Sequence, residues 1–115
     1  MGPEISRREM SPEERRMRSR AAQILAGAGV LHGTLSERMQ VCGKKNCACS
    51  RGEKHRTLVL TVRSGGEVQQ IYIPRLLESL VRQWVDQDRE VRDLLARLSA
   101  MHRDRLVARK KKEEV

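Results

Sequence analysis

The chain has 115 residues, of which 38% are apolar and 34% charged, with a formal charge of +9, no Phe, one Trp and one Tyr. That length allows one small domain, and the near absence of aromatic rings leaves a thin core of Leu, Val, Ile, Met and Ala, the situation in which small domains recruit a metal, a partner subunit or both. No run approaches the ~18 apolar residues of a membrane span; with no export signal and three cysteines, which cannot all pair within one chain, the expectation is a cytoplasmic protein with reduced thiols, not membrane-bound.

Residues 1–10 read as a flexible N-terminus, and a helix is predicted over 12–27. Ser11 caps it, Pro12 suits its first position, and Glu13 and Glu14 face the positive end of its dipole. Met17, Ala21, Ile24, Leu25 and Ala28 form one apolar stripe, and Gly27 and Gly29 close the helix. Arg15, Arg16, Arg18 and Arg20 crowd the first half of that helix. In "GTLSERMQVC", Thr34 and Glu37 fit a capping box, but Leu35, Met39 and Val41 alternate with Ser36, Arg38 and Gln40. Strand is the preferred reading there, with Glu37 as the one break in the alternation.

The run "VCGKKNCACSRGEKH" contains every cysteine of the chain and ends on a histidine. Cys42, Cys47, Cys49 and His55 follow the spacing C-x4-C-x-C-x5-H, a ligand set suited to a tetrahedral structural zinc. Gly43 and Asn46 permit a tight reversal, and Lys44 and Lys45 favour ionised thiolates. His32 is a second candidate for the fourth ligand. Burial as small apolar residues and a redox role are the alternatives, each with weaker pattern support. Basic Lys44, Lys45, Arg51, Lys54 and Arg56 oppose a single acid, Glu53. Such a loop suits phosphate contacts, and Arg16 and Arg20 of the first helix extend the expected surface.

Two β-rich runs, 57–63 and 67–73, flank Ser64-Gly65-Gly66 and predict a hairpin. From Pro74 a helix is predicted to 109, about 50 Å long at 1.5 Å per residue. Leu77, Trp84, Val91 and Leu98 recur every seven residues along it, and are assigned to packing on the hairpin and on a second copy of the chain. Gln87 and Asp88 break that seam. Glu78 with Arg82, Asp88 with Arg92 and Asp93 with Arg97 are acid-before-base pairs four apart. Residues 110–115 read as a charged tail. The whole is an α+β fold over 11–110: an N-terminal helix, an antiparallel sheet of about three strands with a zinc-binding loop over 33–73, and a long C-terminal helix.

From Gly33 to about Leu106, "GTL", "CGKKNCACSRGEKH", a hairpin, "YIP" and a Leu-rich helix resemble a family of small uncharacterised prokaryotic proteins carrying a domain of unknown function. Some of its members are labelled as transposase-related. Cys42, Gly43, Lys44, Cys47, Cys49, Gly52 and His55 fit the motif position by position. The sequence departs after the histidine, where "RTL" replaces the family's Gly-Pro-Tyr. The resemblance implies the metal site and the layout, and no activity.

Catalysis has little support, since no nucleophile triad, phosphate-cradling loop or apolar carboxylate pair is present. The expected function is a zinc-stabilised, non-enzymatic nucleic-acid-binding protein that contacts the phosphate backbone, as a helix-paired homodimer and without a small-molecule substrate. With only Tyr72 and Trp84 to stack on, duplex DNA or structured RNA is the expected target. The rival is an adapter module built on the long helix, including an accessory subunit of a mobile-element or phage complex.

Overall fold

A computed structural model describes residue 5 and residues 7–40 and 55–113, the side chains of Arg7, Gln40 and His55 excepted. The metal-ligand candidates Cys42, Cys47 and Cys49, the cations Lys44, Lys45, Arg51 and Lys54, and the side chain of His55 therefore lie outside the described residues. The fold is α+β: helix α1 (Pro12–Gly27), strands β1 (Thr34–Gln40), β2 (His55–Ser64) and β3 (Glu67–Ile73), and helix α2 (Glu78–Glu113). Short 3-10 turns over Arg7–Glu9 and Arg75–Leu77 precede the two helices.

Helix α1 begins where its sequence signals place it. Ser11 Oγ accepts the Glu14 amide N–H at 3.1 Å, and Pro12 fills the first helical position, where no N–H is needed. The helix ends at Gly27, as the glycines predict, but without a left-handed cap. The Ala28 N–H returns to the Ile24 carbonyl at 2.9 Å with Ala28 in extended backbone, so no left-handed glycine closes the helix.

The sheet is antiparallel in the order β1-β2-β3. Ser64 pairs with Glu67, so the turn is two residues, Gly65 and Gly66, and both have positive φ (59° and 83°). A two-residue hairpin turn whose twist matches the strands needs positive φ at both positions, which glycine adopts without a Cβ clash. At the other end Gln40 pairs with His55, which brings together the ends of the segment that carries the cysteines.

Helix α2 has 36 residues, so it is about 54 Å long at 1.5 Å per residue. It starts later than Pro74, after the 3-10 turn, and reaches past Arg109 to Glu113. The chain forms two compact units, and α2 contributes to both. One unit is Val30–Asp86, with the sheet and the start of α2. Its core joins Leu60 to Val81 and Val85, with Leu31, Leu35, Val62 and Ile73 around them. The Leu31 N–H donates to the Trp84 carbonyl at 3.1 Å and ties the approach to β1 onto the helix.

The other unit is Met1–Gly29 with Gln87–Val115. There Met17 of α1 packs with Leu94 and Leu98 of α2, flanked by Ala21 and Met101. Val91 is also buried, and Leu98 is covered within the single chain. Trp84 is half-buried, Leu77 is exposed, and Val85, absent from the heptad reading, is fully buried. The register of the buried stripe is therefore Val81, Val85, Asp88, Val91, Leu94 and Leu98, a mix of three- and four-residue steps set by the two packing partners.

Candidate nucleic-acid interface

Of the cations proposed for phosphate contact, three lie among the described residues. Arg16 is exposed on α1. Arg20 forms a two-pronged pair with Glu90, Nε to Oε2 at 2.5 Å and Nη2 to Oε1 at 3.0 Å. The Arg20 hydrogen bonds and charge hold the Glu90 carboxyl below the usual range. Arg56 donates to Glu37 at 2.5 Å and lies 3.5 Å from Glu78, and Arg82 donates to the same Glu37 oxygen at 3.0 Å. The hydrogen bond and charge of Arg56, with a smaller part from Arg82, depress the Glu37 pKa. Arg20 and Arg56 are thus charge-compensated within the chain, and Arg16 is the one of the three without an ion pair among the described residues.

These pairs also explain two features of the sequence. Leu35, Glu37 and Met39 share one face of β1, the face opposite Leu60, Leu58 and Arg56 on β2. Glu37 interrupts an apolar face because it sits at its rim, where two guanidiniums meet it. Glu78 and Arg82, expected to pair with each other along the helix, turn to Arg56 and Glu37 instead. The other two expected pairs are present, Asp88 with Arg92 at 2.9 Å and Asp93 with Arg97 at 3.7 Å.

The opposite face of the sheet is different in kind. Strand alternation and register place Thr34, Ser36 and Arg38 of β1 on it, with Thr57, Val59, Thr61 and Arg63 of β2 and Val68, Gln70 and Tyr72 of β3. Among the described strand residues no Asp or Glu occupies this face; Glu37 and Glu67 both fall on the side that carries Leu58, Leu60 and Val62. Val59, at the centre, is fully buried, whereas Tyr72 is 54% exposed and Val68 57%. Arg38 Nη1 donates to Gln70 Oε1 at 3.3 Å across the face. Arg63 has no ion pair among the described residues.

At the start of β1 this face runs into a concavity of about 110 Å³ lined by His32, Gly33, Thr34, Thr61 and Arg63. Gly33 has a steric reason to be glycine. A Cβ there would lie 2.8 Å from Leu60 Cδ1 and 2.9 Å from the Thr61 carbonyl oxygen. His32 therefore stands at the end of the sheet remote from Gln40 and His55, about 20 Å along β1 at 3.3 Å per residue.

A second charged cluster lies in the helical unit, where sequence reasoning saw only a first-turn acid. Glu14 is fully buried and accepts from Arg18 Nε at 2.9 Å and from Arg105 Nη2, with His102 Nε2 at 3.4 Å. Burial pushes its carboxyl up, but the hydrogen bonds from Arg18, Arg105 and His102 outweigh that and hold it below the ordinary value. The signal was present in the spacing: Glu14, Met17, Ala21 and Ile24 lie on one helical stripe. Among the described residues no three His, Cys, Asp or Glu side chains form a metal-binding group, and no helix is long and apolar enough to cross a membrane.

A family described as a domain of unknown function, DUF6788, matches residues 7–83. The chain belongs to this family. The match takes in α1, the whole sheet and the first turns of α2, so the DUF6788 region holds both the cysteine segment and the acid-free sheet face. No curated protein and no solved structure matches the chain.

Proposed function

We propose that this DUF6788 protein is a zinc-stabilised, non-enzymatic nucleic-acid-binding protein that contacts mainly phosphates. The observation that carries the reading is the separation of charge among the described strand residues: Glu37 and Glu67 sit on the helix-packed face, and the other face carries Arg38 and Arg63 with no acid. The cations Lys44, Lys45, Arg51 and Lys54 lie in the segment that joins β1 to β2. Positive charge without local compensation attracts a polyanion, and the release of its counterions makes the affinity fall steeply with salt.

Zinc fits the donor set of three thiolates and an imidazole. The pairing of Gln40 with His55 supports it, because it brings the chain next to Cys42 back to the residue that would supply the imidazole. Bound there, zinc would brace a fold poor in apolar bulk. Metal analysis of the purified protein checks this: one zinc per chain is expected, and its loss in Cys47→Ser. Filter retention of labelled DNA and RNA at low and moderate salt checks the binding. Retention lost when Lys44, Lys45 and Arg51 become Ala supports the reading, and no retention at low salt overturns it.

A second reading, an adapter that docks through α2, is favoured by the exposure of Leu95, Leu106 and Val107 on that helix. Pairing of two copies belongs with this surface rather than with Val91 and Leu98, which are already covered within one chain. Native mass measurement of wild type and of Leu95→Glu/Leu106→Glu separates a dimer from a monomer.

A further inference from the structure

The paucity of aromatic rings in the sequence points toward duplex targets, because unpaired bases are bound by stacking on rings. Tyr72 changes that argument. It is about half exposed, 54%, on the strand face where the Arg38–Gln70 hydrogen bond spans the buried Val59, and the described residues of that face include two arginines and no acid. One strand over and two residues along lies Thr61, about 8 Å away by sheet spacings, on the edge of the concavity shared with Arg63. That concavity offers a guanidinium, two threonine hydroxyls and an imidazole, groups that bind a phosphate.

We propose that this face binds a single-stranded nucleic acid, with one unpaired base stacked on Tyr72 and a neighbouring phosphate seated against Arg63, Thr34 and Thr61. The inference rests on the nucleic-acid reading and names its target as an unpaired strand. A duplex keeps its base faces stacked on one another and presents none to Tyr72; an unpaired strand presents one with every nucleotide. An acidic peptide would satisfy the arginines and leave the ring unused. The occupant is therefore chosen by the ring and the guanidinium together. Gly33 lets the chain lie close against β2 at the edge of this seat.

Fluorescence anisotropy with 12-nucleotide oligo-dT and oligo-U, and with a duplex of equal length, tests the assignment on the full-length, metal-loaded protein. Tyr72→Val keeps the strand propensity and removes the ring; it should weaken single-strand binding about tenfold, and Tyr72→Phe should restore it. Arg63→Ala should lower the slope of log affinity against log salt by about one. Circular dichroism melts confirm that each variant is folded. Duplex binding should not respond to Tyr72→Val. Unchanged single-strand affinity in Tyr72→Val overturns the proposal, as does an equal loss on duplex or equal competition by polyglutamate. If those changes are silent while alanines at Lys44, Lys45 and Arg51 abolish binding, the inference falls and the proposed function stands. If wild type binds no nucleic acid at low salt, both fall.

Discussion

In the sheet unit the buried side chains are Leu58, Val59, Leu60, Val81 and Val85, and its ion pairs lie at the rim, where Glu37, Arg56 and Arg82 are all 40–50% exposed. In the helical unit the apolar cluster is smaller, Met17 with Leu94 and Leu98, and a fully buried Glu14 joins α1 to α2 through Arg105. A sheet supplies a broad surface on which aliphatic side chains from several strands meet one helix. Two helices meet along a narrow seam, and without aromatic rings the seam cannot be filled by apolar bulk alone. The chain completes it with a carboxylate bridging two guanidiniums. Charge is thus structural in one unit and peripheral in the other, and in the sheet unit the described strand acids all lie on the helix-packed face.

Substitutions can break or sharpen that contrast. The largest effect is expected from Leu60→Ala, which opens a cavity among Val81, Val85 and Leu35, with a loss of about 4 kcal/mol in urea denaturation. Glu14→Gln leaves Arg18 and Arg105 without their shared anionic partner. Because both are partly exposed, the loss should fall at the low end for a broken buried pair, about 3 kcal/mol.

Acidification gives a second check on Glu14. Its pKa is depressed in the folded state, so its stabilisation is fully present above the unfolded value of about 4.3 and fades as pH falls through the lower folded value. Thermal melts between neutral and acidic pH should show wild type losing more stability than Glu14→Gln does. A variant that matches wild type at every pH would remove the contrast between the units.

Gly33→Ala should cost about 2 kcal/mol, since the added Cβ meets the Thr61 carbonyl and Leu60. The smallest effect is expected from Glu37→Gln at the rim, a barely measurable shift in the urea midpoint, because exposed ion pairs are screened by water and salt. If Glu37→Gln proved as costly as Glu14→Gln, the rim pairs would have to be counted as part of the core.

Much of the local structure was legible in the residues. Ser11 and Pro12 mark the start of α1, Gly65-Gly66 sets a two-residue turn, and the alternation around Leu35 and Met39 marks β1 despite Glu37. Such signals act over a few residues of backbone, through capping, φ preference and side-chain alternation, so they survive without knowledge of the partner. The heptad reading of α2 matches the burial of Val91 and Leu98 but does not follow the buried stripe throughout. Its positions Leu77 and Trp84 are exposed or half-buried while Val85 is buried, because the helix packs on a sheet over its first turns and on α1 over its later ones, and neither partner imposes a seven-residue repeat.

The sequence by itself determined the elements, their order and the basic balance of the chain, because helix caps, glycine turns and net charge depend on residues close in sequence or on simple sums. Only the tertiary structure decided which charges are compensated. Arg20 with Glu90, Arg56 with Glu37, and Glu14 with Arg105 are separated by tens of residues in the chain and become partners through packing. The same packing sorts the acids of the sheet onto one face and leaves Tyr72 and Arg63 on the other. Ion pairing and exposure are properties of groups brought together after distant segments lose their water, which no short stretch of sequence specifies.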